Sequence, residues 1–151
     1  MNFLAHLTLS YFDTDLQVGN FLGDFVKGKA VADLPAGVQH GIVMHRAIDH
    51  LTDHDPDVKA LNQRLSEKLG GYAGVMTDIG FDYFLCQNWK RFGPLECDAF
   101  RVGTYGALHA RREHMSERVQ GYIEGMLNHD WLTLYNTPAG MAHVFNRLRP
   151  R

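Results

Sequence analysis

The stretch Tyr72–Phe92, YAGVMTDIGFDYFLCQNWKRF, decides the fold. Its apolar residues Val75, Ile79, Phe81, Phe84, Leu85 and Trp89 recur at the three- and four-residue spacing of a helix, not at the alternation of a half-buried strand. Gly93-Pro94 ends the run. The pattern predicts one long, central, largely buried helix, with Phe81, Tyr83, Phe84 and Trp89 as core packing. Asp78 and Asp82, four residues apart, fall on the stripe of Val75, Leu85 and Trp89, so both carboxylates are expected on the core-facing side. An unpaired charge there costs several kcal/mol or takes up a proton. A metal ion or a tight hydrogen-bond network would keep both ionised. The alternative is that they cap neighbouring helices or pair with arginine.

The same periodicity runs outward in both directions, and no segment alternates like a strand, so the fold class is all-α, a bundle of about six to eight helices. Towards the N-terminus a first helix covers roughly residues 2 to 11. A second begins after Asp13-Thr14-Asp15, which offers N-caps, and carries Leu16, Phe21, Leu22, Phe25 and Val26 to a stop at Gly28. A third runs from about Val38 to Thr52. A fourth starts at Asp55 as cap with Pro56 behind it and closes at Gly70-Gly71. Towards the C-terminus helices are expected over 95 to 114, over 117 to 128 after Ser116, and over 138 to 149 after Thr137.

With 151 residues the chain fits one domain able to bury its own core. Fifteen Lys and Arg against seventeen Asp and Glu, a formal charge of -2, argue against a wholesale nucleic-acid or membrane-surface binder. Two cysteines, Cys86 and Cys97, are too few for a disulfide framework and too far apart for a CxxC site; they read as packing residues in a reducing compartment. The N-terminus lacks the basic region of a signal peptide, so the expected location is cytoplasmic.

The first 60 residues carry eight acids, all Asp, against four bases. Asp is a poor helix former, so an Asp inside a helix sits there against local preference. Two more pairs share a helical face in this region, Asn20 with Asp24 and His45 with Asp49, and Arg46 stands beside the latter. Asp53 lies one turn beyond Asp49. Residues 40 to 57 hold four His and four Asp, a donor mix that suits Mn²⁺ or Mg²⁺ more than a structural Zn²⁺. His40 and His50 fall off the His45 face and read as surface residues. His6, beside Phe3, Leu4 and Leu7, is either a core imidazole satisfied by a carboxylate or part of the site. His54-Asp55 and His129-Asp130 imitate a two-letter metal motif, but each stands at a helix junction, where Asp caps. No phosphate-binding glycine loop and no nucleophile elbow are present.

Taken in order, Met1-Asn2-Phe3-Leu4-Ala5-His6, Gly19-Asn20, Gly23-Asp24-Phe25-Val26, His45-Arg46 with Ile48-Asp49, Thr52-Asp53, and Asp78 with Asp82, Phe84-Leu85 and Trp89 resemble the acyl carrier protein phosphodiesterase family, from the first residue to about Trp131-Leu132. The resemblance implies an all-helical, distant variant of the HD phosphohydrolases that uses Mn²⁺ or Mg²⁺ to hydrolyse the phosphodiester between 4'-phosphopantetheine and a serine of acyl carrier protein. It implies Asp24, His45, Asp49, Asp78 and Asp82 as metal ligands, with Asp24 also the base that takes the proton of the attacking water. It implies His6, Asn20 and Asp53 as the supporting residues. Arg46 would steady phosphate charge, and both Arg46 and Lys27 could meet the carrier. Family members continue past the region of Arg149-Pro150-Arg151 into a further helix; a chain lacking it would expose an apolar face that a homodimer could cover. The competing readings are a phosphohydrolase of a small phosphoester, which would turn over without carrier, and a non-catalytic carrier-binding helical protein, which would bind carrier and leave its prosthetic group in place.

Overall fold

The computed structural model describes residues 3–147. Among the described residues ten α-helices form: α1 (Phe3–Leu9), α2 (Thr14–Leu22), α3 (Ala36–His54), α4 (Pro56–Leu69), α5 (Ala73–Gln87), α6 (Trp89–Phe92), α7 (Cys97–Ala110), α8 (Glu117–Asn128), α9 (Trp131–Leu134) and α10 (Pro138–Arg147). Among the described residues there is no strand, so the all-α bundle expected from the periodicity is what forms. Asp13 accepts the Leu16 amide at 2.9 Å and opens α2; Asp55 accepts those of Asp57 and Val58 and opens α4; Thr137 accepts that of Gly140 and opens α10. The predicted helix ends at Asn2 and at 148–149 lie outside the described residues.

The centre of the bundle is the α2–α3 pair, which buries Val18, Phe21, Leu22, Val38 and Ile42. Two glycines set how closely these helices approach. A methyl group on Gly19 would stand 2.0 Å from the Val38 carbonyl oxygen, and one on Gly41 would stand 2.3 Å from that of Leu16. The two backbones therefore touch directly. α1 lies across this pair with Phe3, Leu4 and Leu7 buried, and Tyr122 of α8 closes the core, its ring 5.8 Å from Phe3 and 5.2 Å from Phe25.

Three expectations are corrected. The second helix ends at Leu22 rather than near Gly28; the Phe25 and Val26 amides both turn back onto the Leu22 carbonyl. The stretch 72–92 is not one helix but α5 and α6, divided at Asn88, whose side chain donates to the Phe84 carbonyl at 2.8 Å in competition with the backbone ladder. Nor is α5 central. Asp82 and Ile79 are buried, but Val75 is 38 % and Phe84 62 % exposed. Phe84 follows Asp82 by two residues, roughly 200° round the helix, so burying one turns the other outward. The buried side of α5 packs through Ile79 on Tyr135 and Met141 of the C-terminal segment. A largely apolar cavity of about 400 Å³ lies there, lined by Phe3, Ile79, Tyr122, Trp131 and Tyr135 among others. No described helix is long and apolar enough to cross a membrane.

Candidate metal centre

Where α1, α2 and α3 meet, two imidazoles lie one on the other. The ring centroids of His6 and His45 are 4.1 Å apart and the planes 19° from parallel, and both side chains are buried. The direct α2–α3 contact carries Asn20 into reach of both. Its amide nitrogen donates to the His6 carbonyl at 2.8 Å and to the Ser10 hydroxyl at 3.2 Å. A carbonyl can only accept, so the amide orientation is settled, and its oxygen faces His6 Nδ1 at 2.8 Å. His6 Nδ1 must then carry the proton. The Asn20 backbone carbonyl does the same for His45, standing 2.7 Å from Nδ1. One buried residue thereby sets the tautomer of both histidines, by its side chain for one and its main chain for the other.

With both Nδ1 atoms protonated, both neutral rings present bare Nε2 lone pairs, and these point at one carboxylate. His6 Nε2 is 3.0 Å from Asp49 Oδ1, and His45 Nε2 is 3.1 Å from Asp49 Oδ2 and 3.6 Å from Asp24 Oδ1. Acceptors facing acceptors at such distances repel unless positive charge lies between them. Protons supply this only in part. Burial, then the neighbouring His45, holds the His6 imidazole below its ordinary value, and only Asp49 and Asn20 work against them. Burial also disfavours charge on His45, but the Asp24 and Asp49 carboxylates outweigh it and hold that ring above its ordinary value. A proton on His45 leaves the His6–Asp49 contact unresolved, and two stacked imidazolium ions would repel.

A divalent cation would resolve it. One ligand atom each from His6, His45 and Asp49 lies within 4.8 Å of the others, and Asp24 Oδ2 beside them is buried with no hydrogen-bond partner. An orphaned carboxylate oxygen, two bare imidazole nitrogens and a shared carboxylate are the donors that a cation with mixed nitrogen and oxygen ligands requires. The residues present therefore fit a metal ion, with His6, His45 and Asp49 as ligands and Asp24 adjoining.

The other residues singled out by sequence fall as follows. Asn20, Asp24, His45 and Asp49 come together, and His6 joins them through its Nε2. Asp82 does not join the group of adjoining ligand atoms; its two oxygens accept the Leu4 and Ala5 amides, each at 3.0 Å, so it caps α1 from across the bundle. Burial, partly offset by those amides, pushes its carboxyl up to about 7. Asp78 is half-buried one turn earlier on α5, also outside the group, and Asp53 is exposed. Arg46 and Lys27 are exposed, the former on α3 and the latter beyond α2. Asp55 caps α4, and Asp130, at a left-handed φ of 46°, receives Arg101 and the Tyr105 hydroxyl. Sequence reasoning missed Ser10, and named Gly23 only as part of a motif, without its packing role. A methyl group on Gly23 would stand 2.2 Å from His45 Cγ, so the helix must end there in a residue without a side chain for the imidazole to fit.

The family model for acyl carrier protein phosphodiesterase matches residues 1–151. A protein of Salmonella agona (strain SL483) named acyl carrier protein phosphodiesterase is 37% identical over 155 residues, which take in 100% of this chain and 80% of the relative. Its namesake from Salmonella dublin is 30% identical over the same shares, and that of Pectobacterium atrosepticum is 29% identical over 152 residues, 100% of this chain and 79% of the relative. No solved structure matches. The chain is a member of the acyl carrier protein phosphodiesterase family.

Proposed function

We propose that the chain is a metal-dependent phosphodiesterase that removes 4'-phosphopantetheine from the serine of acyl carrier protein. The observation that carries this reading is the convergence of two tautomer-locked Nε2 atoms on Asp49 beside the orphaned Asp24 oxygen. Family membership supplies the substrate. Two imidazoles among carboxylates favour Mn²⁺ over Mg²⁺, which prefers oxygen ligands throughout. Such a cation supplies Lewis acidity at the phosphoryl group.

The chain's own residues do the rest. His6, His45 and Asp49 would hold the cation, Asn20 keeps the Nε2 lone pairs of the two histidines aimed, and Asp24, 27 % exposed, reaches both the centre and solvent. Asp24 takes the proton of the water that attacks phosphorus, and the carrier's serine oxygen departs and is protonated. Arg46 and Lys27, both exposed, meet the phosphate or acidic groups of the carrier. Asp82, bound to the first amides of α1, serves the centre by holding the helix that carries His6. The test is incubation with holo acyl carrier protein and Mn²⁺ followed by intact mass. Loss of the prosthetic arm with wild type but not with Asp24→Asn or Asp49→Ala supports the reading; carrier mass unchanged by the folded, Mn²⁺-loaded wild type refutes it.

A further inference from the structure

We infer that His50 and His54 form a second, surface-exposed cation site, separate from the buried centre and selective for Zn²⁺ over Mn²⁺ or Mg²⁺. The two lie one turn apart on α3, the i, i+4 spacing at which a helix presents two imidazoles to one metal ion. Their ring centroids are 4.2 Å apart and the planes 32° from parallel, so the rings already lie side by side.

His54 Nδ1 stands 2.8 Å from the His50 carbonyl oxygen, an acceptor only, so Nδ1 carries the proton and Nε2 is bare. A ring whose second nitrogen donates to a backbone carbonyl is the arrangement of a metal-ligating histidine. His54 stands in the last turn of a 19-residue helix, with His50 one turn before it, and unpaired carbonyls at that end carry partial negative charge and favour a cation. Exposed Asp53, between the two, adds a full negative charge at the same end.

The ligand chemistry separates this pair from the buried centre. Two imidazoles with water in the remaining positions suit a borderline cation such as Zn²⁺, and Mn²⁺ and Mg²⁺ stand low on such nitrogen donors. Neither histidine belongs to the His6–His45–Asp49 group. A Zn²⁺ count of two per chain would therefore report two separate sites and not a two-metal catalytic centre.

The experiment is equilibrium dialysis of the full chain against Zn²⁺ and, separately, Mn²⁺ at pH 7.5, with wild type, His54→Ala and His40→Ala. His40 is an exposed histidine of the same helix without a histidine four residues away, and so serves as the control. Wild type and His40→Ala should each hold one Zn²⁺ more than His54→Ala, or bind that ion at least tenfold more tightly, and Mn²⁺ uptake should be equal in all three. Equal Zn²⁺ uptake by wild type and His54→Ala would overturn the proposal. So would loss of the same ion from His40→Ala. The difference between variants is read whether or not the buried centre takes Mn²⁺, so failure of one assignment does not carry the other with it.

Discussion

Replacing Asn20 with Ala tests the tautomer lock. Asn20 is fully buried, and its amide makes three contacts: it accepts from His6 Nδ1, and it donates to the His6 carbonyl and to the Ser10 hydroxyl. Ser10 itself donates to the His6 carbonyl at 2.8 Å, so that acceptor stays satisfied in the variant. His6 Nδ1–H does not. A stranded buried donor costs about 1–3 kcal/mol, and the two lost amide bonds add roughly 1 kcal/mol each. A domain of ordinary stability, about 5–15 kcal/mol, survives this folded. The larger effect falls on the centre. With no acceptor at Nδ1, His6 moves its proton to Nε2, where it hydrogen-bonds Asp49 and removes one lone pair from the ligand set. Loss of such an orienting partner lowers metal affinity roughly 10- to 100-fold. Mn²⁺ titration calorimetry gives the affinity and ¹⁵N NMR of the imidazole nitrogens gives the tautomer. A folded Asn20→Ala protein that binds Mn²⁺ within twofold of wild type, with His6 still protonated at Nδ1, would refute the lock.

Other consequences follow from single contacts. Gly19→Ala puts a methyl group 2.0 Å from a backbone oxygen that no rotamer can move aside, so urea denaturation should show a loss of about 3 kcal/mol or more. Gly23→Ala pushes on the His45 ring; a displacement near 1 Å costs about 100-fold in turnover, and kcat on holo carrier should fall far more than thermal stability does. Asp82 is buried with its carboxyl raised from 3.8 to about 7, so the folded state binds its proton more tightly than the unfolded chain does. Its contribution to stability is therefore greatest near pH 4 and falls as pH rises to 7, by roughly 4 kcal/mol at most. Asp82→Asn should remove that slope; the difference between the wild-type and variant stability curves across pH 4 to 7 measures it.

Much of the architecture was legible because its signals are local. Caps at Asp13, Asp55 and Thr137 place the starts of α2, α4 and α10 within a few residues. The meeting of His45 and Asp49 was legible for a different reason: two polar residues four apart inside a helix stand there against propensity, whereas Asp24 was read on a helix that ends before it, at Leu22. The remainder depends on contacts between segments distant in sequence. Asp82 looks like a ligand from its own helix, and only the arrival of α1 turns it into a cap for amides 77 and 78 positions away. His6 looks like a core residue until α3 brings Asp49 against it. The α2–α3 contact that makes Asn20 a lock depends on what Gly19 and Gly41 lack, and an absent side chain has no periodic signature. α5 was misjudged because apolar residues distributed round a helix do not show which side is buried.

The most direct measurement is anomalous diffraction at the manganese edge from crystals of this protein soaked in Mn²⁺. A cation held by His6, His45 and Asp49 gives a single strong peak in coordination contact with both Nε2 atoms and the Asp49 carboxylate, with Asp24 drawn towards it. No peak there, with His6 Nε2 protonated and hydrogen-bonded to Asp49, or a peak on Asp78 and Asp82 instead, would contradict it.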